Sequence, residues 1–161
     1  VGIAASGRTP YVLGAIRKAR ELGAVTIGIS CTPDSSLSRD VSIPIEPLPG
    51  PEVIAGSTRL KAGTATKLVL NMLTTGTMIR LGYVFGNMMV NVQPKNEKLA
   101  NRAHRIIQKA AGVSEAEAIE LLNASGGVVK TAIVMGRLKI DREAAEQRLE
   151  QARGLVSEAL Q

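Results

Sequence analysis

The first nine residues, VGIAASGRT, limit the possible folds of this chain more than any other stretch. Val1 to Ala4 is small and β-branched in composition, the signature of a buried strand. Ala5-Ser6-Gly7-Arg8-Thr9 is a tight polar turn, and Pro10 opens a helix, where its missing N–H costs nothing. A strand, a Gly-containing turn with two hydroxyls and a helix N-terminus is an arrangement by which α/β proteins bind anions. The first-turn N–H groups lack partners and the helix dipole favours negative charge. Ser6 and Thr9 can give hydroxyls to phosphate oxygens, and Gly7 lets the backbone come close. The competing assignment for the same residues is an ordinary N-cap, with Ser or Thr satisfying the helix donors.

The chain after the turn alternates in the manner of a parallel sheet. Pro10 to Leu22 is a helix with Val12, Leu13, Ile16, Ala19 and Leu22 on one stripe, ended by Gly23. Val25 to Ser30 and Val41 to Glu46 are the next strands, and Pro44 argues for an edge position or an early end of the latter. Cys31 to Asp40 is a polar loop. Short strand–helix–strand connections imply right-handed parallel crossovers. After the rigid Pro47–Pro51 turn, a long helix is expected from Thr58 to Leu81. It is apolar nearly all round from Leu68, which marks a buried central helix. Tyr83 to Val92 is extended or looping, punctuated by Gly86 and Asn87. From Pro94 the strand signal ends and four helices fit. They span Glu97 to Ala111, Ser114 to Asn123 with a Ser114/Glu117 capping box, Gly127 to Met135, and Asp141 to the end. The division is thus an α/β part over residues 1–93 and a helical tail over 94–161.

Composition narrows the chemistry. The chain is 45% hydrophobic but only 2% aromatic, so its core is aliphatic, and it offers no stacking platform for single-stranded nucleic acid. The net charge of +6 is spread along helices, as solvated faces are. One cysteine, Cys31, excludes an internal disulfide and fits a reducing, cytoplasmic setting. No apolar run reaches the roughly 20 residues of a membrane span. The single histidine, His104, has no metal-ligand spacing around it, and no metal site is expected. The turn has neither the Gly-Lys-Ser/Thr ending of a P-loop nor the second and third Gly of a dinucleotide fingerprint, so no nucleotide cofactor is expected.

In an open α/β sheet, ligands sit at the carboxyl ends of the strands. The Ser6–Thr9 turn and the Glu52–Lys61 segment leave from that same edge. Glu52 is a candidate acid, base or hydroxyl acceptor, and Ser57, Arg59 and Lys61 are candidate ligand contacts. The alternative for Glu52 is a charge at a helix start complementing the dipole. For Arg59 and Lys61 it is a pair of solvated first-turn side chains.

The stretch Ile3 to Tyr11 resembles the phosphosugar turn of SIS (sugar isomerase) domains, and specifically that of N-acetylmuramic acid 6-phosphate etherases. Gly50 to Ala65, Lys67 to Met72, Gly86 to Val92 and Asn96 to Leu99 continue the likeness, which covers essentially the whole chain. The usual SIS turn is Ser-x-Ser-Gly-x-Thr; here its first Ser is Ala4, as these etherases tend to have it. The resemblance implies part of a flavodoxin-like, three-layer SIS domain followed by a helical tail whose last three helices are UBA-like. It implies a cytoplasmic, homodimeric lyase of a phosphorylated amino sugar in cell-wall recycling, with Ser6, Gly7, Arg8 and Thr9 at the phosphate. It also implies that the acid and base glutamates precede Val1, leaving Glu52, placed where related isomerases keep a functional glutamate, as a catalytic or sugar-contact candidate. A non-catalytic phosphosugar sensor and a phosphosugar isomerase using Glu52 are the alternatives. Because Val1 opens inside a strand without Met, the chain is expected to be the C-terminal portion of a longer one, inactive and poorly folded alone.

Overall fold

The computed structural model describes residues 1–161 and is mixed α/β, mostly helical, with one small parallel sheet. The chain divides into two compact units, Val1–Thr74 and Thr75–Gln161.

In the first unit, β1 (Gly2–Ile3), β2 (Ile27–Ile29) and β3 (Ile43–Ile45) form a parallel sheet in the order β1-β2-β3. Gly2 lies opposite Gly28, and Gly28 opposite Pro44. Pro44 therefore sits on an outer strand, where a missing N–H leaves no gap in the ladder. α1 (Pro10–Glu21) connects β1 to β2, and α2 (Ser36–Asp40) connects β2 to β3. The two strand glycines let these helices lie close. A Cβ on Gly2 would be 2.8 Å from Ile16 Cγ1, and one on Gly28 would be 3.0 Å from Leu37 and Val41 side chains. Ala4, Ile16 and Leu37 form the resulting core cluster, with Val12, Leu13 and Val41 against it. α2 is a correction to the loop expected over Cys31 to Asp40. Ser35 caps it by accepting from the Ser38 amide, and Leu37 anchors it in the core.

α3 (Lys61–Arg80) starts three residues later than the periodicity predicts and departs from the expected buried central helix. It buries only Ala62 and Val69, while Leu68, Met72, Met78 and Ile79, and Leu81 just past its end, are exposed. Its apolar residues lie on every side, and a single packing surface covers only one of them. The division between the units falls within this helix, at Thr74.

The second unit begins with the end of α3 and an antiparallel hairpin, β4 (Val84–Phe85) and β5 (Met88–Met89), across the Gly86-Asn87 turn. Gly86, at φ 58°, supplies the positive φ that such a two-residue turn needs. The helices are α4 (Glu97–Ala111), α5 (Glu115–Ala124), α6 (Val129–Leu138), α7 (Arg142–Gln151) and α8 (Val156–Ala159). The Ser114/Glu117 capping box forms as predicted. The single helix expected from Asp141 onward is instead two, because Arg153 and Gly154 both adopt positive φ. α6 is the axis of this unit, with Val129, Ala132, Ile133 and Val134 fully buried. Lys130 leans out of it, donating from Nζ to the Gly154 carbonyl at 3.0 Å and lying 5.3 Å from the centre of the Tyr83 ring. Burial lowers the Lys130 pKa.

Two substitutions test this core. Ile133→Ala should cost about 2–5 kcal/mol in chemical denaturation, the range for a buried aliphatic truncation. Gly82→Ala should cost about 1–3 kcal/mol, since Gly82 sits at φ 73° and a Cβ there would be 2.5 Å from the Gly154 carbonyl oxygen.

Candidate functional site

The turn after β1 forms as the sequence predicts, and its backbone is held from one side. Gly7 N–H closes the turn onto the Ala4 carbonyl at 2.8 Å. The Ala5 carbonyl accepts from the Cys31 amide at 2.9 Å and from Thr32 Oγ1 at 3.1 Å. The Gly7 carbonyl accepts from the Leu37 amide at 2.9 Å. The loop after β2 and α2 thus take up two carbonyls of the turn, those of Ala5 and Gly7.

The two hydroxyls of the turn are not committed in the same way. Thr9 is the N-cap residue of α1, yet its side chain makes no capping hydrogen bond. Ser6 Oγ accepts only a long 3.4 Å contact from the Arg8 amide. An ordinary N-cap would engage one of these hydroxyls with the first-turn amides. Here two hydroxyls and a helix N-terminus whose side-chain cap is absent lie together, with Arg8 and Thr9 exposed and Gly7 buried.

The Glu52–Lys61 segment is built differently. The Glu52 carboxylate accepts from the Lys61 amide at 3.0 Å and the Ala62 amide at 3.1 Å. It caps α3 from nine residues upstream, which explains why the helix starts at Lys61. The Lys61 amide, then the Ala62 amide, hold the Glu52 pKa below its ordinary value. A carboxylate whose two oxygens both accept backbone bonds is a better staple than a proton acceptor. Ser57 is half-buried, its amide donating to the Ile54 carbonyl, while Arg59 and Lys61 are exposed. Lys61 borders a shallow apolar recess with Pro49, Leu60, Thr64 and Leu68.

Cys31 joins the two halves. Its amide holds Ala5, and its thiol lies 3.7 Å from the Ala62 carbonyl and 3.9 Å from Thr66 Oγ1. A continuous path therefore runs from the turn through Cys31 to Ala62 and Glu52. The sequence reading takes Cys31 only for its redox setting and assigns no role to Thr32 or Ser35. Ser35-x-x-Ser38, with a buried Leu between, is the cap signal that would have disclosed the short helix.

A group with a lowered folded pKa stabilises the fold above its unfolded pKa and loses that contribution as the pH falls through the folded value. The contribution of Glu52 is therefore complete above its ordinary value of 4.5 and drains below it. In denaturation across a pH series, Glu52→Gln should be less stable than the parent near neutrality. The gap should narrow as the medium is acidified through the glutamate range; a gap of constant size would contradict this role.

Residues 86–125 match the family described as the C-terminal lid domain of glucokinase regulatory protein. Over 160 residues the chain is 58% identical to the N-acetylmuramic acid 6-phosphate etherase of an Exiguobacterium species, covering 99% of this chain and 54% of that protein. It is 52% identical to the etherase of Serratia proteamaculans, again across 99% of this chain and 54% of the relative. The protein of that name from Clostridium beijerinckii is 48% identical over the whole chain and 53% of its own length. From end to end, then, the chain is similar to N-acetylmuramic acid 6-phosphate etherases, and it spans about half the length of the curated relatives it matches.

Proposed function

We propose that the whole protein is a carbon–oxygen lyase that cleaves the D-lactyl ether of N-acetylmuramic acid 6-phosphate. The products are N-acetylglucosamine 6-phosphate and D-lactate. The observation that carries this reading is the 48–58% identity to proteins of that name along the full chain. In this reading residues 1–93 are part of a SIS phosphosugar domain, and 94–161 are its helical tail, with three UBA-like helices at the end. The protein works in the cytoplasm as a homodimer.

The turn supports the phosphate role. Ser6 and Thr9 offer hydroxyls not committed to capping, Gly7 brings backbone close, and Arg8 adds an exposed cation at the same point. All of these favour a dianionic phosphate at the start of α1. Ser57, Arg59 and Lys61 are the contacts assigned to the rest of the ligand. The reaction needs a base for the sugar C2 proton and an acid for the departing lactyl oxygen. Glu52, ionised and engaged by two backbone amides, shapes the pocket by holding the start of α3.

A second reading has one observation in its favour. The likeness of residues 86–125 to a lid domain of a regulatory protein fits a non-catalytic phosphosugar sensor. Incubating the whole protein with N-acetylmuramic acid 6-phosphate and assaying lactate separates the two: release supports the lyase, and binding without release supports the sensor. Ser6→Ala should weaken binding of N-acetylglucosamine 6-phosphate by roughly tenfold or more, the worth of one hydrogen bond to a charged acceptor. Unchanged affinity by calorimetry would remove that turn from the phosphate site.

A further inference from the structure

The turn that presents Ser6 and Thr9 rests on a side chain that belongs to neither of the two segments assigned to the ligand. Gly7 adopts φ 62°, and a Cβ built on it would fall 2.1 Å from Ser35 Oγ and 2.2 Å from Ser35 Cβ. The Ser35 side chain therefore lies directly behind the turn, and Ser35 is buried.

Its hydroxyl is fully engaged. Ser35 Oγ accepts from the Ser38 amide at 3.1 Å, donates to Ser30 Oγ at 3.1 Å and lies 2.9 Å from Ser38 Oγ. A serine hydroxyl has one proton and two lone pairs. With that proton given to Ser30, Ser38 is the donor in the remaining contact. Ser30 Oγ passes its own proton to the Thr32 carbonyl at 2.9 Å. Thr32 Oγ1 donates in turn to the Ala5 carbonyl at 3.1 Å. Ser38, Ser35 and Ser30 donate in one direction onto the main chain of Thr32, and the hydroxyl of that same residue holds Ala5, the first residue of the turn. The Leu37 amide grips the far end of the turn at Gly7. An N-cap alone would account for the Ser38 amide bond. It would not require the bond to Ser30 or the contact with Gly7.

We propose that Ser35 is a positioning residue for the phosphate-binding turn. Its buried hydroxyl, seated against Gly7 and chained through Ser30 and Thr32 to Ala5, sets the spacing at which Ser6 and Thr9 meet the phosphate. The proposal rests on the phosphate role given to the turn above, so its test must distinguish the two. Calorimetry on the whole protein with N-acetylglucosamine 6-phosphate, and with N-acetylglucosamine as the arm lacking phosphate, does so. If the parent protein binds the phosphosugar no better than the plain sugar, the phosphate role of the turn falls, and this proposal with it.

If the parent discriminates, Ser35→Ala should lose roughly tenfold in affinity for the phosphosugar. Asp141→Ala is the control. It removes a cap of the same kind, from the Ala144 amide at the start of α7, and should bind within twofold of the parent. In lactate release, Ser35→Ala should raise KM and leave kcat within twofold, since the hydroxyl orients the anchor and not the reacting bond. Parental affinity in Ser35→Ala, or a fall in kcat at unchanged KM, would overturn the proposal. Should Ser35→Ala fail to fold, Thr32→Val at an exposed loop position decides the matter. It cuts the same chain at Ala5, so a several-fold weaker affinity supports the proposal and a parental one overturns it.

Discussion

The carbonyls of the turn after β1 have to be satisfied before its donors can face outward. Without partners from elsewhere, the Ala5 and Gly7 carbonyls would compete for the turn's own donors. Here the loop and short helix after β2 supply the Cys31 and Leu37 amides and the Thr32 hydroxyl. With the Ala5 and Gly7 carbonyls occupied, the Ser6 and Thr9 hydroxyls stay out of the capping of α1. The candidate phosphate site is thus a product of two adjacent parallel strands, each contributing the segment beyond its carboxyl end.

Much of this was legible in the residues. Pro10, the Val12, Leu13 and Ile16 part of the α1 stripe, Gly23 and the Ser114/Glu117 box mark local events, whereas Leu22, read on the same stripe, is exposed past the end of the helix. Pro44 reports its outer-strand position for the same reason: a missing donor is a property of one residue. The misses involve distance. Glu52 reaches forward nine residues to start α3, so propensity alone placed the helix three residues too early. α2 has five residues and one buried side chain, too few for a periodicity to show. The break between α7 and α8 turns on Arg153 adopting φ 52° beside Gly154, and a charged residue carries no warning of that conformation.

α3 illustrates a different gap between pattern and place. An all-round apolar pattern predicts an enclosed helix. Hydrophobicity states what a helix requires around it and says nothing about which residues provide it. Leu68 is 53% exposed and Met72 66%, well beyond what a core-facing helix shows. A soluble surface rarely leaves such a row uncovered. The second unit shows the opposite case, where α6 is apolar on most sides and its neighbours enclose it.

The staple at Glu52 has a consequence for how the segment ahead of α3 moves. Residues 53–60 form a loop closed at its far end by two hydrogen bonds to a single carboxylate. The first-turn amides of a helix have no partner within the helix. At Lys61 and Ala62 they are held while that carboxylate is docked, and Ala62 is buried besides. Their exchange rates are therefore a local clock for the opening of a loop that carries Ser57 and Arg59, readable amide by amide without any ligand or assay of turnover.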